Sequence, residues 1–255
     1  CRRKTSGSTL RSAGQAGLLG EGKGHMLLSL EGVDVHYGHA KVLHEINLHI
    51  LKGEVAFIVG RNGAGKTTLL KTIAGFLKPS KGSILFDHQP IQGIPPEKVA
   101  LMGIRYVFQD KRVFGELTVK ENIELAAYPT KEKLSDSINR ILSLYPRMDI
   151  LINSKAKGLS GGQRQILLIG RALIGEPKLL LIDEPTEGLS AGIMEEILDV
   201  LTKMKGQISM IIVEQNLSVV SRMADRVYMM KEGSILKEIT DKTVIEKSNA
   251  LEGYL

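Results

Sequence analysis

At 255 residues and 43% hydrophobic content, the chain is long enough to bury a sizeable core as one large α/β domain or a domain with an inserted lobe, and it is neither disordered nor a mini-protein. Its single cysteine, Cys1, excludes an internal disulfide, points to a reducing cytoplasm and makes a redox or thiolate-metal site unexpected, while no apolar run approaches the roughly 20 residues of a membrane-spanning helix. The formal charge of +6 is concentrated in residues 1–25, where Arg2, Arg3, Lys4, Arg11 and Lys23 face Glu21 alone; the weakly charged remainder argues against nucleic acid as the partner.

Residues 1–25, rich in Gly, Ser, Arg and Ala, read as a disordered leader or a non-native extension, with Met26 as the natural start. The alternation of Leu28, Leu30, Val33 and Val35, then of Ile46, Leu48 and Ile50, predicts an N-terminal antiparallel β region. VAFIV (55–59), LLLI (179–182) and ISMIIV (208–213) lack alternation, as strands buried on both faces of a parallel sheet do. Helical patterns at 66–77, 160–174 and 191–204 lie between them, so the fold class is α/β with an open sheet. Residues 110–158 carry apolar residues at three- and four-residue spacing, which predicts a helical lobe reaching about residue 165. RVYMM and SILKEI flank the turn KEG as a hairpin, and 241–255 is an amphipathic close to the chain.

GRNGAGKT, residues 60–67, satisfies G-x-x-x-x-G-K-[ST] directly after a buried strand and at the start of a helix. Gly60, Gly63 and Gly65 allow the tight turn that aims backbone N–H groups at an anion, with Arg61, Asn62 and Ala64 between them. Lys66 can reach the β- and γ-phosphates of a bound nucleotide, Thr67 can offer its hydroxyl to Mg²⁺, and Thr68 can bond a further phosphate oxygen. Four fixed positions arise by chance in a chain of this length on the order of 1% of the time. In LLLIDEP, Asp183 is suited to hold Mg²⁺ through water and Glu184 to polarise the attacking water as general base.

Leu159-Ser160-Gly161-Gly162-Gln163 forms a second anion nest at a helix start, and with the two motifs above it the chain resembles the ATP-binding-cassette ATPases from about residue 28 onward. The resemblance implies that fold: a mixed phosphate-loop core sheet, an N-terminal antiparallel region and an inserted helical lobe. It also implies ATP and Mg²⁺ as cofactors and a head-to-tail dimer in which Ser160, Gly161, Gly162 and Gln163 bind the γ-phosphate held by the opposite protomer. Tyr37 corresponds to the aromatic that stacks on adenine, and Gln109 to the glutamine that contacts Mg²⁺ and the attacking water and leads into the lobe touching the membrane partner.

Two positions depart from the common pattern. Gln215 stands where many members have His; an amide donates a hydrogen bond but does not titrate near neutral pH, so the expected role is sensing γ-phosphate by hydrogen bonding. Ser190, in EPTEGLS, stands where Asp is common. With E-Q-N at the switch and a terminus near E-G-Y-L, these features resemble one ATPase of the branched-chain amino-acid uptake systems, with urea or amide importers as close alternatives. The implied assembly is a heterodimer with a second, different ATPase subunit, a homodimer being the alternative, on membrane permeases at the cytoplasmic face, with a solute-binding protein engaged indirectly. A translation or DNA-repair ATPase is disfavoured by the single motif set and the roughly fifty residues between Gln109 and LSGGQ. A module without turnover is disfavoured by Lys66, Asp183 and Glu184 together.

Overall fold

The computed structural model describes residues 24–253, so the leader expected over residues 1–25 lies almost wholly outside the described residues. The alternating segments form β1 (Met26–Tyr37) and β2 (Ala40–Leu51), paired antiparallel with Leu28, Leu30, Val33, Val35, Ile46, Leu48 and Ile50 turned inward. β3 (Val55–Val59) is buried at every position and leads into α1 (Lys66–Ile73). That helix stops short of the expected residue 77: the Phe76 N–H reaches back to the Lys71 carbonyl at 2.9 Å and closes the last turn. β4 (Lys81–Phe86) and the two-residue β5 (Gln89–Pro90) extend the antiparallel sheet to the order β2-β1-β4-β5, followed by α2 (Pro96–Leu101). The sequence pattern missed β4, because only Ile84 and Phe86 face inward and Leu85 is exposed.

β6 (Ile104–Val107) precedes the segment read as helical, which contains α3 (Val119–Ala127) and α4 (Leu134–Leu144), with 3₁₀ turns at 128–130, 146–151 and 156–158. Thr118 starts α3 with a capping box to Glu121. Then follow α5 (Gly161–Ala172), β7 (Leu179–Asp183), α6 (Ala191–Met204), β8 (Ser209–Glu214) and α7 (Leu217–Met223). The expected hairpin is β9 (Arg226–Lys231) and β10 (Ser234–Ile239). The closing stretch divides into the short helices α8 (Lys242–Ile245) and α9 (Ser248–Glu252).

The six-stranded core sheet has the order β10-β9-β3-β8-β7-β6, parallel except for the β9–β10 pair. Alternate residues of β3 feed two cores. Val55, Phe57 and Val59 pack with α5, α6 and α7, whereas Ala56 and Ile58 pack with α1 and the antiparallel sheet. No helix is long and apolar enough to cross a membrane among the described residues.

Tyr228 fastens the two sheets together. Its fully buried hydroxyl accepts from the His49 N–H at 3.0 Å and donates to the His49 carbonyl at 2.8 Å, bridging β9 to β2. Tyr228→Phe leaves both backbone groups without that partner and is expected to cost about 1–3 kcal/mol, read as a lower denaturant midpoint at unchanged slope. An unchanged midpoint would mean that the hydroxyl does not hold the sheets.

Candidate nucleotide-binding site

The parallel strands end along one edge of the core sheet, and the expected groups converge there. A Cβ on Gly60 would come 2.1 Å from the Met230 carbonyl, so only glycine lets the loop pass β9 this closely. Gly65, with φ 99°, is the N-cap of α1, whose first turn aims its N–H groups into the loop. Lys66 is buried, and its Nζ donates to the Gly60 carbonyl at 2.8 Å and the Arg61 carbonyl at 3.1 Å, inside the curl of the loop. Arg61 and Asn62 are exposed beside a cavity of about 230 Å³ that Gly63, Ala64 and Met230 also line.

The acid pair ends β7. Asp183 is buried, accepts from the Tyr106 hydroxyl at 2.9 Å through Oδ2, and leaves Oδ1 buried without a hydrogen-bond partner. Burial pushes its carboxyl above the usual range, opposed by the Tyr106 hydrogen bond and the nearby Thr67 side chain; the Glu184 charge raises it further and Lys66 lowers it. Burial, reinforced by Asp183, pushes the Tyr106 phenol far up, which keeps it a donor. A hard divalent cation fits this donor set: an orphaned carboxylate oxygen beside a threonine hydroxyl. Among the described residues no group of three His, Cys, Asp or Glu side chains could hold a metal, so further ligands would come from water and phosphate.

Glu184 has φ 46°, a left-handed conformation uncommon outside glycine, held by its N–H donating to the Val213 carbonyl at 3.0 Å. Its carboxylate lies 3.7 Å from Lys66 Nζ and accepts from Gln109 Nε2 at 3.2 Å and Gln215 Nε2 at 2.8 Å. Gln215 Nε2 also donates to Asn62 Oδ1 at 2.7 Å, so this amide spans the gap between phosphate loop and acid. Gln109, Lys66, Glu184 and Gln215 therefore meet in one network.

Ser160 and Gln163 behave differently. They form a capping box on α5, Ser160 Oγ accepting from the Gln163 N–H at 3.2 Å and Gln163 Oε1 from the Ser160 N–H at 3.0 Å. Gly161 faces Leu189 and Gly162 lies against Ile193 of α6. Among the described residues, no hydrogen bond joins 160–163 to the loop 60–68. Tyr37 is exposed at the tip of the β1–β2 hairpin, whose Leu43 packs against Gly65. Ser190 is the N-cap of α6 with no side-chain capping bond.

Sequence reasoning missed three supporting side chains. Glu187 accepts from Gln109 Nε2 at 2.8 Å, and its backbone carbonyl accepts from Lys111 Nζ at 2.6 Å, tying the loop after β6 to the loop after β7. Tyr106 is the donor to Asp183, and nothing in IRYVFQD distinguishes it from a core aromatic. Glu214 is buried and accepts from Thr186 Oγ1 at 2.6 Å and from the N–H groups of Thr186, Gln215 and Asn216 at 3.2, 3.1 and 3.3 Å. An acid ending a buried strand was the available signal. Glu214→Ala is expected to lower ATP hydrolysis at least tenfold while nucleotide binding stays within about threefold, because the loops carrying Gln215 and Glu184 lose their shared anchor. Equal losses in both would place Glu214 in nucleotide binding itself.

Residues 43–187 match the ABC transporter family. The chain is 34% identical over 231 residues to the high-affinity branched-chain amino acid transport ATP-binding protein BraG of Pseudomonas aeruginosa, covering 90% of this chain and 99% of that one. Its fold superposes with a TM-score of 0.78 on MJ1267, an ATP-binding cassette of an ABC transporter, at 29% identity, covering 90% of this chain and 99% of that one. With a TM-score of 0.74 and 26% identity, it also matches the dimeric post-hydrolysis state of the cassette MJ0796 bound to ADP and Pi, covering 84% and 98%. The matched segment runs from β2 through the phosphate loop and the capped glycines to the acid pair, and on that span and this fold the chain belongs to the ABC transporter family, as one of its ATPase cassettes.

Proposed function

We propose that this chain is the ATP-hydrolysing subunit of an importer for branched-chain amino acids, acting at the cytoplasmic face of a membrane as half of a two-nucleotide dimer. One observation carries the reading: Lys66, Gln109, Glu184 and Gln215 assemble within the chain, while the anion nest at Ser160–Gly162 is built separately on α5. Each protomer thus offers two half-sites, and a second subunit, identical or different, supplies the complement. The solute class is carried over from BraG, which this chain matches over nearly all of that protein's length. Urea or amide import is the second reading on the same residues.

In the proposed reaction, Lys66 and the N–H groups of the loop and first helical turn bind and orient the phosphates. Tyr37 offers an aromatic face to the adenine. Glu184 takes the proton of the attacking water, and Gln109 and Gln215 hold its carboxylate in place. Thr67, Asp183 and Gln109 would hold Mg²⁺, which when bound neutralises charge on the β- and γ-phosphates. The partner's signature segment donates to the γ-phosphate from the far side, so closure completes the site and hydrolysis releases it.

A cavity of about 670 Å³ lies between β6 and the helices α3 and α5, lined by Phe108, Phe114, Leu168 and the cations Arg105, Arg112 and Arg171. Arg171 stacks over Phe114 at 5.2 Å. This groove begins at the strand leading to Gln109 and supports a permease contact whose movement reaches the site through that residue.

Glu184→Gln is expected to bind MgATP and accumulate a dimer on size-exclusion chromatography, with turnover reduced at least 100-fold; wild-type turnover would remove Glu184 from the role of base. With the permease co-purified and reconstituted in vesicles, ATP-dependent uptake of leucine, isoleucine and valine is expected. Uptake of urea or amides instead would replace the solute assignment.

A further inference from the structure

Tyr106 has a hydroxyl on the acid of the site and a ring packed on Phe108 and Phe76, and it lies outside the three sequence motifs. β6 and β7 run parallel with Tyr106 opposite Leu181, and Asp183, two residues on, projects from the same face of the sheet. The register therefore delivers the phenol to Oδ2 at 2.9 Å and leaves Oδ1, buried and unpartnered, as the remaining acceptor. The ring packs on Phe108 with centroids 4.1 Å apart and on Phe76 at 6.2 Å, and Phe108 meets Phe76 at 5.4 Å. Phe76 follows the phosphate-loop helix and Phe108 precedes Gln109, so the three rings join both segments to β6. Tyr106 and Phe108 both line the groove of about 670 Å³.

We propose that Tyr106 is a positioning residue that holds Asp183 through its hydroxyl, so that Oδ1 faces the Mg²⁺ position, and through its ring, packed on Phe108 and Phe76, ties that carboxylate to the segments before Gln109 and after α1. This rests on the reading of the site as an MgATP site. A tyrosine that only fills the core would contribute to stability alone. A tyrosine that orients Asp183 sets how much Mg²⁺ is needed, because a carboxylate freed from one hydrogen bond can rotate away from the ion or turn both oxygens to other donors.

The experiment uses the full chain carrying Glu184→Gln, so that ATP is not consumed, with and without Tyr106→Phe, which keeps the ring and removes the donor. Thermal unfolding is followed at saturating ATP while Mg²⁺ is titrated, and binding of a fluorescent ATP analogue is measured separately in EDTA. Tyr106→Phe is expected to raise the Mg²⁺ concentration for half-maximal stabilisation about tenfold, the scale of a hydrogen bond to a charged group, and to leave metal-free nucleotide affinity within about twofold. A parallel variant, Phe108→Leu, loosens the ring packing but keeps the hydroxyl; it is expected to shift the Mg²⁺ midpoint by less than Tyr106→Phe does. An unchanged midpoint in Tyr106→Phe, with only the melting temperature lowered, overturns the proposal. So does a midpoint shifted more by Phe108→Leu. If the protein with tyrosine in place shows no Mg²⁺-dependent stabilisation by ATP, the MgATP reading itself fails, a result distinct from either of these.

Discussion

The parallel pairing of β3, β8 and β7 is the constraint from which the rest of the site follows. Val59 is in register with Glu214, and Asp183 with Val213, so the three strands stop together and release their loops at one edge. A single-residue slip would exchange the cores that Phe57 and Ile58 enter and separate the phosphate loop from its acid. The fully apolar β3 specifies this register, since its two faces are read by different partners: helices on one side, the antiparallel sheet and α1 on the other. Tyr228, bridging to the His49 backbone, then holds that sheet against the core.

The strand edge is stabilised by polar groups that also arrange the chemistry. Glu214 accepts four hydrogen bonds where the chain leaves β8, and Glu187, in the loop after β7, binds Gln109 and Lys111 in the loop after β6. Glu184 sits in a backbone conformation that costs on the order of 1–3 kcal/mol for a non-glycine residue. The N–H bond to Val213, the two amide donors and the nearby Lys66 ammonium together offset it. The arrangement aims a carboxylate at one point in space and leaves little freedom for it to turn elsewhere.

The parts legible in the sequence are those with short-range signatures. VAFIV, LLLI and ISMIIV announced their strands because both faces of each are buried, and α6 begins at Ala191 and ends at Met204, as its periodicity indicated. β4 was not legible, because two inward residues do not make a pattern, and α1 ended early because its last turn folds back on Lys71. In the site, the loop and acid pair carried a known spacing, while Tyr106, Glu187 and Glu214 act through contacts 77, 78 and 28 residues away along the chain. Such partners follow from strand register, which local pattern does not encode. Gln215 is the instructive case: its residue type fixed it as a donor that does not titrate, but the structure shows those donations going to Asn62 and Glu184.

The capping box on α5 refines what the signature segment can do for a partner. Gln163 spends its amide oxygen on the Ser160 N–H, so its first task is to hold the turn closed. Ser160 Oγ accepts from the Gln163 N–H, and accepting leaves its hydroxyl hydrogen free to donate. The N–H groups of Gly161 and Gly162, in the first turn of α5, have no carbonyl four residues back to satisfy them, and the helix dipole points its positive end the same way. Gly162 lies against Ile193, which leaves no room for a side chain and keeps the turn pressed to α6. The turn is therefore held in place by its own capping bonds, with unpaired N–H groups at its open end, and no acid or lysine of the Lys66–Glu184 network is bonded to it among the described residues. On the proposed reading its complement lies on another subunit, and that separation would make hydrolysis depend on assembly.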